Sequence, residues 1–328
     1  MSTHNGRSQT TSQLPQRALA LPRAIAETVR RRTTTSEVAS GIQRVNMILA
    51  NAYLVGDHGA ADRQWVLVDA GVLPGVPAIT AAARERFGEA RPAAIVLTHG
   101  HFDHVGGLPQ LADYWDAPIY AHRSELPYIT GRSSYPPPDP TAGGGMMTLM
   151  SRFFPRGPYN FGARVQVLPE DGSVPGMPGW RWIPTPGHTP GHVALFRDED
   201  RTLLAGDAFV TTQQESMLAV LMQKAQVCRP PAYYTPDWDA ARRSVEELSM
   251  LQPEAAATGH GRPMYGDQLR QGLRNLLDTW EATAVPDHGR YSERPAIADD
   301  DGVKSVPPPT AKQYLQAAAG VAALVALG

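Results

Sequence analysis

The chain has 328 residues, 42% of them hydrophobic and 19% charged, which supplies a full core and excludes wholesale disorder. Its formal net charge of −2 offers no general attraction to nucleic acid or to an anionic membrane. The single cysteine, Cys228, excludes an intrachain disulfide and fits a cytoplasmic location; as a small apolar side chain it is expected in the interior.

Residues 1–33 are rich in Ser, Thr, Gln and Arg and read as a flexible N-terminal arm with a short helix from Arg23 to Arg32. Pro22 interrupts the run Ala18-Leu19-Ala20-Leu21, so no signal-peptide core is present there. Asn51–Val55 and Trp65–Asp69 read as strands around the turn-rich Gly56–Gly59. A helix is predicted over Ala78–Phe87, then a buried strand over Ala93–Leu97 that delivers the chain into a histidine-rich turn. Gly106-Gly107 opens a helix running to about Trp115, and Pro118–Ala121 is a further strand.

Residues 123–162 break this rhythm with Pro136-Pro137-Pro138, Gly143-Gly144-Gly145 and the apolar run Met146–Phe154. Long irregular segments inside a compact domain are usually functional loops, so a cap over a substrate site is expected here. Strands return at Arg164–Leu168, Trp180–Pro184, His192–Phe196 and Thr202–Ala205. Asp239–Leu251 reads as a helix capped by Asp237 or Asp239, and Ala255–Thr258 leads into a Gly-His-Gly turn. A catalytic domain is expected over 34–285, followed by a C-terminal extension, 286–328, in which Pro307–Pro309 is a stiff spacer. The uncharged, Ala-rich run Gln313–Gly328 would be about 24 Å long as a helix. That is short of the roughly 30 Å hydrocarbon core, which favours a docked terminal helix over a membrane tail.

His99, His101, Asp103 and His104 lie within six residues, directly after an apolar strand. Histidines at i and i+2 of an extended chain point the same way, so one turn can aim both imidazoles at one ion. The segment Thr98-His99-Gly100-His101-Phe102-Asp103-His104 resembles the His-x-His-x-Asp-His signature of the metallo-β-lactamase-fold hydrolases, in the branch of glyoxalase II and the lactonases. Further landmarks follow in the family's order: Asp69 in Leu67-Val68-Asp69-Ala70-Gly71, His188 in Thr185-Pro186-Gly187-His188-Thr189, Asp207 in Leu204-Ala205-Gly206-Asp207, and His260 in Thr258-Gly259-His260-Gly261. The similarity covers about residues 37–265.

The resemblance implies an α/β fold, a four-layer αββα sandwich with its site at one edge between two similar halves. It implies that His99, His101 and His188 bind a first metal, that Asp103, His104 and His260 bind a second, and that Asp207 bridges them. Two Zn2+ ions are the expected cofactors, with iron or manganese accepted by the same ligands. Asp69 is implied beside the ligands, orienting one of them. His192 reads as a packing or supporting group and His122 as a satisfied structural histidine. His4, His58 and His288 sit in polar surroundings and carry no signal.

Two dications lower the pKa of a bridging water enough to supply hydroxide near neutral pH. The expected reaction is therefore attack on an ester, lactone or thioester carbonyl, with Asp103 orienting the hydroxide or carrying a proton to the leaving group. Two other classes stay open at this point: a mononuclear-iron oxidoreductase resembling the persulfide dioxygenases, and a non-catalytic metal-binding module. Val210 stands where the best-known acyl-homoserine lactonases place a tyrosine, three residues after the bridging aspartate, and the stretch after Asp207 departs from glyoxalase II. Tyr233 and Tyr234 are within reach of the site or serve packing. The expected partner is a small-molecule substrate rather than nucleic acid. A membrane enters only through the C-terminal run, and a homodimer is left open by apolar residues in the cap or that run.

Overall fold

A computed structural model describes residues 23–311 and residue 313. The expectations for His4 and for the apolar run beyond Gln313 lie outside these residues. The first half forms α1 (Arg23–Arg32), β1 (Thr34–Ala39), β2 (Ile42–Asn46), β3 (Asn51–Val55), β4 (Val66–Val68), α2 (Val76–Phe87), β5 (Ala94–Val96), α3 (Phe102–Val105), α4 (Leu108–Trp115), β6 (Ile119–Ala121), α5 (Leu126–Ile129), α6 (Met146–Met150) and β7 (Val165–Val167). The second half forms β8 (Trp180–Pro184), β9 (Val193–Arg197), β10 (Thr202–Leu204), α7 (Met217–Met222), α8 (Trp238–Met250), β11 (Ala255–Ala257), β12 (Met264–Tyr265), α9 (Gly266–Asp278), β13 (Ile297–Asp299) and β14 (Gly302–Ser305).

β1 to β7 make one sheet in chain order, antiparallel as far as β4 and parallel from β4 to β7. A second sheet has the order β12-β11-β10-β9-β8. Alternation along each strand assigns side chains to layers. Val66 and Val68 of β4 join Val193 and Leu195 of β9 in the core between the sheets, whereas Leu67 joins the core that contains Leu111 of α4 and Ile79 of α2. In the second sheet Ala194 and Phe196 turn instead to Val245 of α8 and Leu273 of α9. Strands buried on both faces, with helices outside, give the four-layer αββα sandwich that the resemblance implies.

Local chemistry sets the helix ends. Asp237 caps α8 by accepting from the Ala240 N–H at 2.9 Å, one of the two capping residues the sequence offers. Pro77 in its first turn lets α2 begin at Val76, two residues earlier than predicted. Strands β4, β5 and β10 are shorter than predicted because their ends peel away into the loops at the sheet edge. Among the described residues no helix is long and apolar enough to cross a membrane.

The predicted C-terminal extension holds an unforeseen hairpin, β13–β14, and it braces the 123–162 segment. The Val303 N–H donates to Ser133 Oγ at 3.1 Å, and the Tyr291 hydroxyl donates to the Pro137 carbonyl at 2.6 Å. Arg290 N–H donates to the buried Asp139 carboxylate at 2.5 Å. Cys228 is half-buried rather than sealed in the core, and its backbone bridges to Val210. Burial pushes its thiol up to about 12.

Candidate metal centre

Every residue of the cluster follows the C-terminal end of a strand: Asp69 after β4, the 99–104 turn after β5, His188 after β8, Asp207 after β10 and His260 after β11. Loops at that edge of an open sheet are where α/β folds place their sites. Two close approaches require glycine. A Cβ on Gly259 would lie 2.0 Å from Asp207 Oδ1, and one on Gly187, where φ is +131°, would meet the Ala241 backbone nitrogen at 2.3 Å.

All seven predicted ligands are buried and converge. His99 Nε2 lies 3.1 Å from His101 Nδ1, which lies 3.0 Å from His188 Nε2. On the other side, His260 Nε2 lies 3.6 Å from Asp103 Oδ2. Asp207 sits between the two groups: its Oδ2 is 3.4 Å from His188 Nε2, 3.6 Å from His104 Nε2 and 2.9 Å from His260 Nε2. Three sets of ligand atoms each lie within 4.8 Å of one another: His99, His101 and His188; His99, His104 and Asp207; and Asp103, His104 and His260.

The outer hydrogen bonds fix where the imidazole protons are. Thr98 Oγ gives its hydrogen to Asp69 Oδ2 at 2.8 Å, so it accepts from His99 Nδ1 at 3.1 Å. Thr235 Oγ gives its hydrogen to the Pro231 carbonyl at 2.9 Å, so it accepts from His188 Nδ1 at 3.3 Å. His104 Nδ1 donates to Asp69 Oδ2 at 2.8 Å, and His260 Nδ1 to the Leu49 carbonyl at 2.5 Å. With the proton on Nδ1, each of these four rings turns an Nε2 lone pair inward. His101 enters by Nδ1, and one N–H there can serve only one of its two neighbours.

Lone pairs and carboxylates thus face one another with too few hydrogens to join them. His104 Nε2 and Asp207 Oδ1, both buried, have no hydrogen-bond partner at all. Buried groups are not left this way without a reason. Five imidazole nitrogens with two carboxylates form a donor set that suits zinc and neighbouring divalent ions, so the residues fit a dinuclear centre.

Electrostatics separate the rings into two groups. Burial holds His99 and His101 well below the ordinary histidine range and pushes His188 and His192 down to about 3. Burial opposes charge on His104 and His260 too, yet the Asp207 carboxylate raises both. Asp207 itself, despite its burial, is held well below the carboxylate range by His260 and His104. Burial raises Asp103.

Asp69 accepts from His104 Nδ1 and from the N–H and hydroxyl of Thr98. His192 stands outside the ligand set: its Nε2 accepts the Asp207 N–H at 2.8 Å and its Nδ1 meets the Thr185 hydroxyl at 2.7 Å. His122 accepts the Ser124 N–H at 3.3 Å and packs edge-on against Trp182. His58 and His288 are exposed. Tyr234 stacks on His101 with ring centroids 4.4 Å apart, so it does reach the site.

Several residues that hold the cluster carry no sequence signal. Glu125, fully buried, accepts from the Gly100 N–H at 2.9 Å and from the Tyr135 hydroxyl through one oxygen. Its other oxygen accepts from the Thr189 hydroxyl at 2.6 Å and the Gly191 N–H at 2.9 Å. One carboxylate therefore clamps the 99–104 turn to the His188 loop. The His260 turn is held in the same manner from the first sheet. Asn51 Nδ2 donates to the Thr258 and Gly261 carbonyls at 2.8 and 2.9 Å, Tyr53 to Thr258 at 2.5 Å, and Arg44 to Gly261 at 2.7 Å.

Known proteins carry the same pattern. The sequence pattern of the metallo-beta-lactamase superfamily matches residues 47–260, which enclose all seven converging side chains and Asp69. YflN of Bacillus subtilis, named a probable metallo-hydrolase, is 46% identical over 243 residues, covering 74% of this chain and 92% of its own. A second B. subtilis protein, the probable metallo-hydrolase YybB, is 36% identical over 196 residues, 56% of this chain and 76% of its own. The crystal structure of a beta-lactamase domain protein from Burkholderia ambifaria has the same fold, with a TM-score of 0.52 at 18% identity over 80% of this chain and 79% of that one. On this match and this arrangement of side chains, the chain belongs to the metallo-beta-lactamase superfamily.

Proposed function

We propose that the protein is a dinuclear, zinc-dependent hydrolase of ester-type bonds, acting on a small molecule. The observation that carries this reading is the convergence of inward lone pairs from His99, His104, His188 and His260 on Asp207. His99, His101 and His188 would hold one ion, Asp103, His104 and His260 the other, with Asp207 shared. Ions bound there would polarise a carbonyl oxygen and lower the pKa of a water between them. The names of YflN and YybB support hydrolysis as the reaction class.

Asp103 has a second part to play. It borders both the cluster and a cavity open to ligand, so its carboxylate is placed to orient water and to pass a proton to the leaving oxygen or sulfur. Asp69 and Thr98 keep the His99 and His104 rings turned so that neither exposes an N–H to the ions.

Purified protein is expected to contain close to two zinc per chain by elemental analysis and to turn over members of a panel of lactones, thioesters and aryl esters. Activity on none of them would refute the reading. Stripping the metal with a chelator should abolish turnover and lower Tm. Ligand held at about 100 times its Kd contributes roughly 2.7 kcal/mol to the folded state, and that is the order of loss expected by calorimetry. An unchanged Tm with unchanged activity would contradict a metal at this site.

Asp69→Asn is a sharper probe of the ring orientations. Asn tolerates the left-handed backbone of position 69, where φ is +58°. Its amide hydrogens, however, would face His104 Nδ1–H and force that ring to the other tautomer, with a hydrogen on Nε2. Metal binding should weaken by about 10- to 100-fold, read by competition with a chromophoric chelator. Unchanged affinity would remove Asp69 from the role.

A further inference from the structure

Beside the cluster lies a cavity of about 270 Å³ that the assignment of metal ligands does not use. Its walls come from six separate parts of the chain. Val29 of α1, Leu49 of the β2–β3 turn, Met147 of α6, Phe154 beyond it, and Met217 and Leu221 of α7 all contribute apolar surface. Asp103 also lines it, so the cavity ends on the candidate centre itself.

The chemistry of the lining restricts what fits. Among the described residues none that lines it is a lysine, arginine or histidine, and Asp103 carries the only charge. A carboxylate, phosphate or sulfonate along the cavity, away from the candidate centre, would be taken out of water among apolar side chains with no counter-charge. Uncharged hydrocarbon would instead be taken out of water, the dominant favourable term in such a pocket. Gln214 adds one polar feature: it is buried, its Oε1 has no partner, and it lines the same cavity, ready for a hydrogen-bond donor on a bound molecule. Size gives the length. A cavity of ~150 Å³ accepts six-carbon benzene, so this one has room for an aliphatic chain of about ten carbons by the same measure.

We propose that this cavity is the acyl-chain subsite of the enzyme, and that the substrates are uncharged medium-chain acyl esters or lactones. The occupant is substrate rather than a partner protein because the cavity opens onto Asp103 and so brings the end of any bound chain to the reacting centre. Met150 and Phe154 from the predicted cap line it, which gives that irregular segment a use. The lack of a basic residue also argues against glutathione thioesters, whose two carboxylates would find no counter-charge in the cavity.

The identity of the cleaved bond rests on the hydrolase reading, while occupation of the cavity does not, and the test separates the two. Metal-loaded enzyme is assayed against p-nitrophenyl esters from acetyl to dodecanoyl. kcat/KM should rise by up to about fourfold per added methylene and level off near ten carbons. The S-octanoyl thioester of glutathione should be a poorer substrate than the neutral octanoyl ester. Separately, binding of 1-octanol is followed by calorimetry over a temperature range, where burial of apolar surface gives a negative heat-capacity change. Met217 is half-buried, so Met217→Trp can fill the cavity without disturbing the core. It should abolish octanol binding and lower the octanoyl-to-acetyl ratio of kcat/KM at least tenfold. If octanol binds and Met217→Trp blocks it while no ester is cleaved, the subsite stands and the hydrolase reading fails. A flat chain-length series with no octanol binding overturns the subsite. So does octanol binding that Met217→Trp leaves intact, and so does a dimer, seen by sedimentation, that Met217→Trp dissociates.

Discussion

Asp207→Ala is expected to leave a folded protein with much less than one metal per chain and turnover reduced by more than about 100-fold, beyond the usual effect of changing a group behind a ligand. Asp207 is the one carboxylate within 3.6 Å of rings from both halves of the cluster, reaching His188 on one side and His104 and His260 on the other. Removing it deprives both ions of their shared anion at once. It also takes away the acceptor that raises His104 and His260. Elemental analysis beside kinetics checks the outcome, and unchanged metal content would sink the bridging role. The truncation should not collapse the fold, since the Asp207 backbone stays tied to His192 through its N–H.

Glu125 should be almost as consequential although it touches no candidate ligand side chain. Glu125→Ala strands three buried donors, the Gly191 N–H and the Thr189 and Tyr135 hydroxyls, while the Gly100 N–H keeps the Tyr135 oxygen at 3.0 Å. Each unmet buried donor costs about 1–3 kcal/mol, so the expected loss is ~3 kcal/mol or more, a large share of the 5–15 kcal/mol typical of a domain. Glu125→Gln keeps the shape. Its amide NH2 can turn to Tyr135, whose hydroxyl oxygen also accepts from the Gly100 N–H at 3.0 Å, and only the Tyr135 hydroxyl hydrogen loses its acceptor. That variant should fold with a smaller loss, about 1–3 kcal/mol, and bind metal about 10- to 100-fold more weakly. Denaturant unfolding and chelator competition read the two effects. Glu125→Gln with wild-type metal affinity would show that the clamp stabilises the fold without positioning the ligands.

These two residues differ in how far the sequence discloses them. The ligands stand in short runs after apolar strands, and an i, i+2 pair of histidines in extended chain has a local geometric meaning. The order of Asp69, His188, Asp207 and His260 then completes a known pattern. Glu125 has no such local meaning. Its partners are 10 to 66 positions away, and Arg123-Ser124-Glu125 looks like a polar surface turn until the fold buries it. Asn51, Tyr53 and Arg44 are hidden for the same reason, since they act across the sandwich on a loop of the other sheet.

Other features were within reach or out of it for equally physical reasons. Leu269, Leu273 and Leu276 recur at helical spacing and announce the buried face of α9, a signal that a motif-led reading passes over. α7 offers nothing comparable, because Leu218, Leu221 and Met222 are exposed and apolar together and so follow no amphipathic period. The β13–β14 hairpin follows no hydrophobic alternation either, with Ile297 itself exposed. The 123–162 segment reads only as irregular in sequence. In the fold it carries Glu125 and Tyr135 on one side of the centre and Met147 and Phe154 along the cavity on the other.

The central claim is that seven side chains form one centre for two ions, and anomalous diffraction from crystals of the purified protein tests it most directly. Data collected on either side of the zinc absorption edge should show two peaks per chain, one among His99, His101 and His188, the other among Asp103, His104 and His260, with Asp207 touching both. A single peak, or two that leave Asp207 unshared, would contradict the account.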